Sequence, residues 1–149
     1  MARRYVFMTA IVSAALGSVA LAADTGLIPG RYVVKVRLEL PNLPDMGADS
    51  ETAICVDETL NGGGGLRVLS ANNPLATCPI SDVRREADTL TFEIACGGSN
   101  AAVGSARYAL AGDRFTARIS MKMGGKNMTM TEVQTGHRTG DCPASSPHS

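Results

Sequence analysis

Tryptophan is absent from this chain, aromatic residues make up 4% of it, and histidine occurs twice. Surfaces that stack bases or sugars need exposed aromatic faces, so the few aromatics argue against both. Beyond the first 22 residues these are Tyr32, Phe92, Tyr108 and Phe115. No apolar run approaches the roughly 20 residues that span a bilayer as a helix, so no membrane span is expected. Positive charge is not in excess either: the formal net charge is zero. No basic patch stands out in the sequence to track a phosphate backbone, which disfavours nucleic acid as a partner. Also missing are close Cys-x-x-Cys pairs for zinc, a nucleophile motif around any serine, and a phosphate loop, because "NGGGG" lacks its Gly-Lys-Ser/Thr ending. Nothing points to catalysis or to a cofactor, so the expectation is a protein that is not an enzyme.

The first residues carry an address. In "MARRYVFMTAIVSAALGSVALAADTG", Arg3 and Arg4 precede an apolar run from Tyr5 to Leu16, and Ala20-Leu21-Ala22 offers a cleavage site. This is the layout of a secretory signal peptide over residues 1–22. The surroundings of the arginine pair do not fit twin-arginine export, and no lipobox cysteine follows. Residues 23–142 are then one domain with its own core, and 143–149 a disordered tail. Without Arg3 and Arg4, 12 basic side chains face 14 acidic ones. The expected location is the periplasm or outside the cell.

From Gly30 onward the period of the sequence is two. In "RYVVKVRLEL", Tyr32, Val34, Val36, Leu38 and Leu40 share one face while Lys35, Arg37 and Glu39 share the other, as in a half-buried strand. "PNLPDMGADS" reads as a loop, because two prolines and a glycine oppose regular structure. "ETAICV" is a short second strand, followed by an irregular connection through "DETLNGGGGLRVLSANNP" with room for one helical turn at Asp57 to Leu60. After it come hairpins: "CPISDVRRE" and "TLTFEIAC" about a turn near Ala87-Asp88, then "AAVGSARYAL", "FTARISMKM" and "MTMTEVQTGHR", separated by "GGSN", "AGDR" and "GGKN". The fold class is therefore all-β, an antiparallel meander of about seven strands. Curling into a small barrel or half-barrel would protect its edges.

Four cysteines in an exported chain imply two disulfides. If Glu86 and Thr89 flank a two-residue turn, Cys78 and Cys96 come opposite each other within one residue, inside disulfide reach. That leaves Cys55 to pair with Cys142.

"MKMGGKNMTM" holds four of the seven methionines. With "GGKN" as the turn, Met123 faces Met128 and Met121 faces Met130, and all four thioethers fall on one side of the hairpin. Phe115, Ala117 and Ile119 share that parity, so the methionines extend an apolar row facing the core. Three uses follow: packing, a flexible pocket for an apolar small molecule or lipid, and a Cu(I) site, since thioethers suit soft metals. No histidine or thiolate lies near to complete a metal site. Asp82 shares the parity of Cys78 and Ile80. It is either an inward carboxylate open to chemistry or a bulge residue bound to backbone.

Several motifs occur in a fixed order: "G-x-Y-x-V-x-V-x-L", a Pro/Met loop, "ICVDETL", "C-x-x-x-D" at Cys78 to Asp82, "TFEIAC-G-G", the Met-x-Met hairpin and a closing "G-D-C". In this the chain resembles an exported bacterial family catalogued as domain of unknown function 3617, from about Gly30 to Cys142. The resemblance implies a small exported domain and brings no established activity or catalytic residues. The expected role is a non-enzymatic binding or structural protein that holds an apolar ligand at Met121, Met123, Met128 and Met130. The alternative is a Cu(I)-binding protein using the same thioethers.

Overall fold

Alternation along the chain decides which side of each strand is dry. In β1 (Gly30–Leu40), Tyr32, Val34, Val36 and Leu38 are buried while Arg31, Lys35 and Arg37 are exposed. The computed structural model describes residues 26–41, 43–57, 65–98, 101–123 and 128–143, with the backbone alone for 43–46 and 123. The expected signal peptide, the expected helical turn beyond Asp57, most of the glycine run, the expected "GGKN" turn and the expected tail past Pro143 lie outside the described residues.

The other strands are β2 (Leu43–Val56), β3 (Ile80–Glu86), β4 (Thr89–Ala95), β5 (Ala102–Ala111), β6 (Arg114–Met123) and β7 (Thr129–Gly140). All seven form one antiparallel sheet in the order β2-β1-β7-β6-β5-β4-β3. Strands β3 to β7 are a meander, and β7 returns beside β1. The all-β class, the seven antiparallel strands and both disulfides agree with the sequence reading.

Two expectations change. The sheet does not close: among the described residues no ladder joins β2 to β3, so both remain edges. A covering segment takes the place of closure. Leu66, Val68 and Leu75, from the irregular connection between β2 and β3, are buried with the inward side chains of the sheet. The second change concerns "PNLPDMGADS", which is not a loop: β2 starts at Leu43, and Leu40 pairs with Leu43 before the register shifts. Proline is tolerated there because β2 is an edge strand, and its missing N–H can lie on the unpaired side.

Small residues make room for the cover. A side chain at Gly104 in β5 would collide with the Leu75 side chain and with the carbonyl of Ser120. At Gly136 in β7 it would strike the ring of Phe115, which lies opposite Gly136 in the β6–β7 ladder. Tyr32, Phe115, Tyr108 and Phe92 run through the core as a chain of rings with centroids 5.6 to 5.8 Å apart. The Tyr32 hydroxyl donates to the carbonyls of Ile28 (2.7 Å) or Gly112 (3.1 Å), so the segment before β1 is held on the β5–β6 turn.

Both disulfides pair as expected. Cys78 and Cys96 have Cα atoms 4.9 Å apart, and Cys55 and Cys142 5.7 Å. The one-residue mismatch in the Cys78–Cys96 register is removed by a bulge. Pairs Glu86↔Thr89 to Arg84↔Thr91 keep one register, and beyond the irregularity Ser81 faces Glu93 and Ile80 faces Ile94. Continued two residues further, the second register sets Cys78 opposite Cys96.

Candidate functional site

The Met-x-Met hairpin joins the ends of β6 and β7. Met121 pairs with Met130, as expected from the turn position. Met121 is buried in the core cluster, and Met130 is half-buried against it. Met128 departs from this row: it stands before β7 begins and is 45% exposed. The side chain of Met123 and the turn itself lie outside the described residues, so the set of four thioethers resolves into one packed pair and one exposed member. Among the described residues the large exposed apolar side chains are Ile28, Val103 and Met128. Two of these belong to this end of the sheet, because Val103 pairs with Lys122 and Lys122 with Thr129, the residue after Met128.

A shallow depression of about 470 Å³ lies here, lined by Val103, Met121, Lys122 and Met130 together with the hydroxyl residues Ser105, Ser120, Thr129 and Thr131 and the carboxylate of Glu93. Its outward side chains offer one apolar contact at Val103, hydrogen-bonding hydroxyls and one charge of each sign, while Met121 and Met130 alternate with them and turn to the core side of the sheet. No group of three or more His, Cys, Asp or Glu residues able to hold a metal occurs among the described residues.

Asp82 sits at a bulge as expected, but its described hydrogen bond is to a side chain and not to the backbone. It is exposed, with φ of 50°, at the irregularity between Ser81 and Arg84. Aspartate enters the left-handed region more readily than most residues, which suits it to that position. The bulge turns its side chain outward, where its oxygen accepts from the Ser81 hydroxyl at 3.5 Å. No inward carboxylate exists at this position.

The inward carboxylate is elsewhere. Glu132 and Gln134 in β7 have no exposure at all. Glu132 Oε1 accepts from the amide of Leu69 (2.8 Å) and from Gln134 Nε2 (2.7 Å). Its Oε2 accepts from Asn73 Nδ2 (2.9 Å) and the amide of Ser70 (3.3 Å). Gln134 Nε2 also donates to the carbonyl of Arg67 at 2.8 Å, and the Tyr108 hydroxyl donates to that carbonyl or to Gln134 Oε1. The Asn73 side chain accepts from the amide of Leu75. Every donor reaching Glu132 from outside β7 belongs to the covering segment. A buried carboxylate needs such partners, and here they fasten the cover to the sheet. Tyr108 ionises well above the usual tyrosine range, first because it is buried and second because Glu132 is near. Sequence reading assigned Glu132 no role, although its parity with Met128, Met130 and Gln134 was the available signal.

A family model described as "Protein of unknown function (DUF3617)" matches residues 27–142. The chain belongs to this family. The DUF3617 match begins at Leu27, which bridges to Gly112, and ends at Cys142, the second half of the longer disulfide. It therefore takes in the entire described sheet, the Glu132 anchor and both cross-links. No curated protein and no solved structure matches the chain.

Proposed function

We propose that this DUF3617 domain is exported, works without catalysis, and holds an apolar or amphiphilic ligand at the methionine-hairpin end of its sheet. The observation that carries this reading is the apolar hairpin end itself, where half-buried Met130 packs against buried Met121 and Met128 is 45% exposed. Methionine adapts its shape to irregular apolar partners. The two disulfides fit an oxidising compartment, the periplasm or the cell exterior.

Native mass spectrometry of the protein purified from periplasm tests the reading. The expected result is a copurifying lipid-like mass that is lost in a Met128→Ser/Met130→Ser variant. Ligand-free protein, together with no binding of a fluorescent fatty acid, would overturn it. The cross-strand pairing of Met121 with Met130 favours a second reading, Cu(I) held by thioethers. Its test is Cu(I) titration of the wild type and of a variant with leucine at Met121, Met123, Met128 and Met130. Equal affinity in both proteins would exclude the thioethers as ligands.

A further inference from the structure

The outer face of the sheet gathers charge that the balanced composition conceals. Cross-strand register sets Arg37 opposite Val133, Val133 opposite Arg118, and Arg118 opposite Arg107; Thr91 then links Arg107 to Arg84. One transverse row thus carries four arginines, and at about 4.8 Å per strand it extends roughly 24 Å. The outward side chains of the central strands β5, β6 and β7 include Arg107, Arg114, Arg118 and Lys122 and no carboxylate. Among the described residues acidic partners reach this row from its margins, and Asp49 of β2 lies 3.9 Å from Arg37. Glu39 of β1 meets Arg118 at 3.3 Å, and Asp113 in the β5–β6 turn meets Arg114 at 3.7 Å. Glu93 of β4 borders the hairpin depression. Arg107 has no ion pair among the described residues.

Like charges directly opposite on neighbouring strands destabilise a sheet, so the juxtaposition of Arg107 and Arg118 is unfavourable to the fold. An oxyanion between them reverses that sign through charge-assisted hydrogen bonds. The pair lines a depression of about 380 Å³ with Thr116, Thr135 and Val133.

We propose that this face docks on the anionic phospholipid headgroups of a membrane leaflet, with phosphate oxygens received between Arg107 and Arg118. Three observations favour a lipid surface. The depression is shallow and lies on an open sheet face, which suits a layer of headgroups. The strip has no aromatic side chain on which bases could stack, because Tyr32, Phe92, Tyr108 and Phe115 are all buried on the other side. Beside Lys122 stands Val103, 47% exposed, an apolar side chain able to enter the headgroup boundary. The proposal concerns the arginine strip and does not require a ligand at the methionine hairpin.

The test is flotation of the purified protein with vesicles of phosphatidylcholine alone and with 30 mol% phosphatidylglycerol. The expected result is binding to the anionic vesicles only, weakened by 0.5 M NaCl. In Arg107→Gln/Arg118→Gln the partition coefficient should fall on the order of tenfold, and Arg107→Lys/Arg118→Lys should recover most of it. The glutamine variant removes a like-charge pair and, with it, the exposed Arg118–Glu39 ion pair, so its melting temperature should stay close to wild type, which separates loss of binding from loss of fold. Four outcomes would overturn the proposal: no binding to anionic vesicles, equal binding to neutral ones, an unchanged double variant, or tighter binding to a single-stranded oligonucleotide. Full competition by 10 mM inorganic phosphate at constant ionic strength would overturn it too, by reducing the surface to a site for the free ion.

Discussion

Asn73 and Glu132, 59 residues apart in sequence, meet in a buried hydrogen bond of 2.9 Å that joins the covering segment to the middle of the sheet. Together with the amides of Leu69 and Ser70, Asn73 supplies the carboxylate with what it lost on leaving water. Glu132→Ala should therefore strand several buried donors at once. The expected destabilisation is about 3–5 kcal/mol, measured by urea unfolding at neutral pH. Asn73→Ala, which removes one donor and leaves the two amides in place, should cost about 1–3 kcal/mol. Equal costs for the two variants would mean that the amides do not support the carboxylate.

Phe115 covers the bare backbone of Gly136 on the neighbouring strand. Gly136→Ala puts a methyl group into the ring and should lower stability by about 1–3 kcal/mol, despite alanine's ordinary fit to a strand. Thermal melting of Gly136→Ala against Gly136→Ala/Phe115→Leu checks this. The second change should restore part of the loss if the ring is the obstacle.

Tyr108 makes stability fall at alkaline pH. Burial raises its ionisation in the folded protein, while in the unfolded chain it ionises near the ordinary value of 10.0. Above that pH the unfolded state loses a proton that the folded state keeps, so the tyrosine's contribution is complete below pH 10 and declines above it. The slope should approach 1.4 kcal/mol per pH unit, read from denaturant midpoints between pH 9 and 11.5. Tyr108→Phe should flatten this decline, although Tyr32, also raised by burial, leaves a smaller remainder.

The two disulfides close loops of very different length, with sequence separations of 87 and 18. On the chain-entropy model, Cys55→Ser/Cys142→Ser should cost roughly 4 kcal/mol and Cys78→Ser/Cys96→Ser about 3 kcal/mol. Non-reducing peptide mapping of each double variant should show the other bridge intact.

The sheet was legible because its buried face repeats every second residue, and β1, β4, β5 and β6 state that period without interruption. The first disulfide could be read from a turn at Ala87-Asp88, and the bulge at Asp82 then brought the register into line. The open edge between β2 and β3 was not legible, since strand count alone cannot say whether a barrel closes or a segment covers the gap. Leu66, Val68 and Leu75 look like any irregular stretch until Gly104 is seen beneath Leu75. The start of β2 was hidden by its prolines, which an edge strand accepts. At the candidate site, the parity that paired Met121 with Met130 extended to Glu132 and Gln134. A carboxylate on a core-facing row is costly to bury, however, and its donors came from a segment with no period of its own.

The position of β1 between β2 and β7 sets a timetable. The first strand to be made cannot complete its pairing until the last one arrives, and the Cys55–Cys142 bridge cannot form before then. Early in synthesis only the β1–β2 hairpin and parts of the meander have their partners, and two-stranded hairpins are marginal in water. Folding must wait for the whole chain, which slows it through long-range contacts. If the chain is exported unfolded, as proposed, this delay would serve as protection: the same topology that makes folding late would keep the chain threadable until its last strand has passed through.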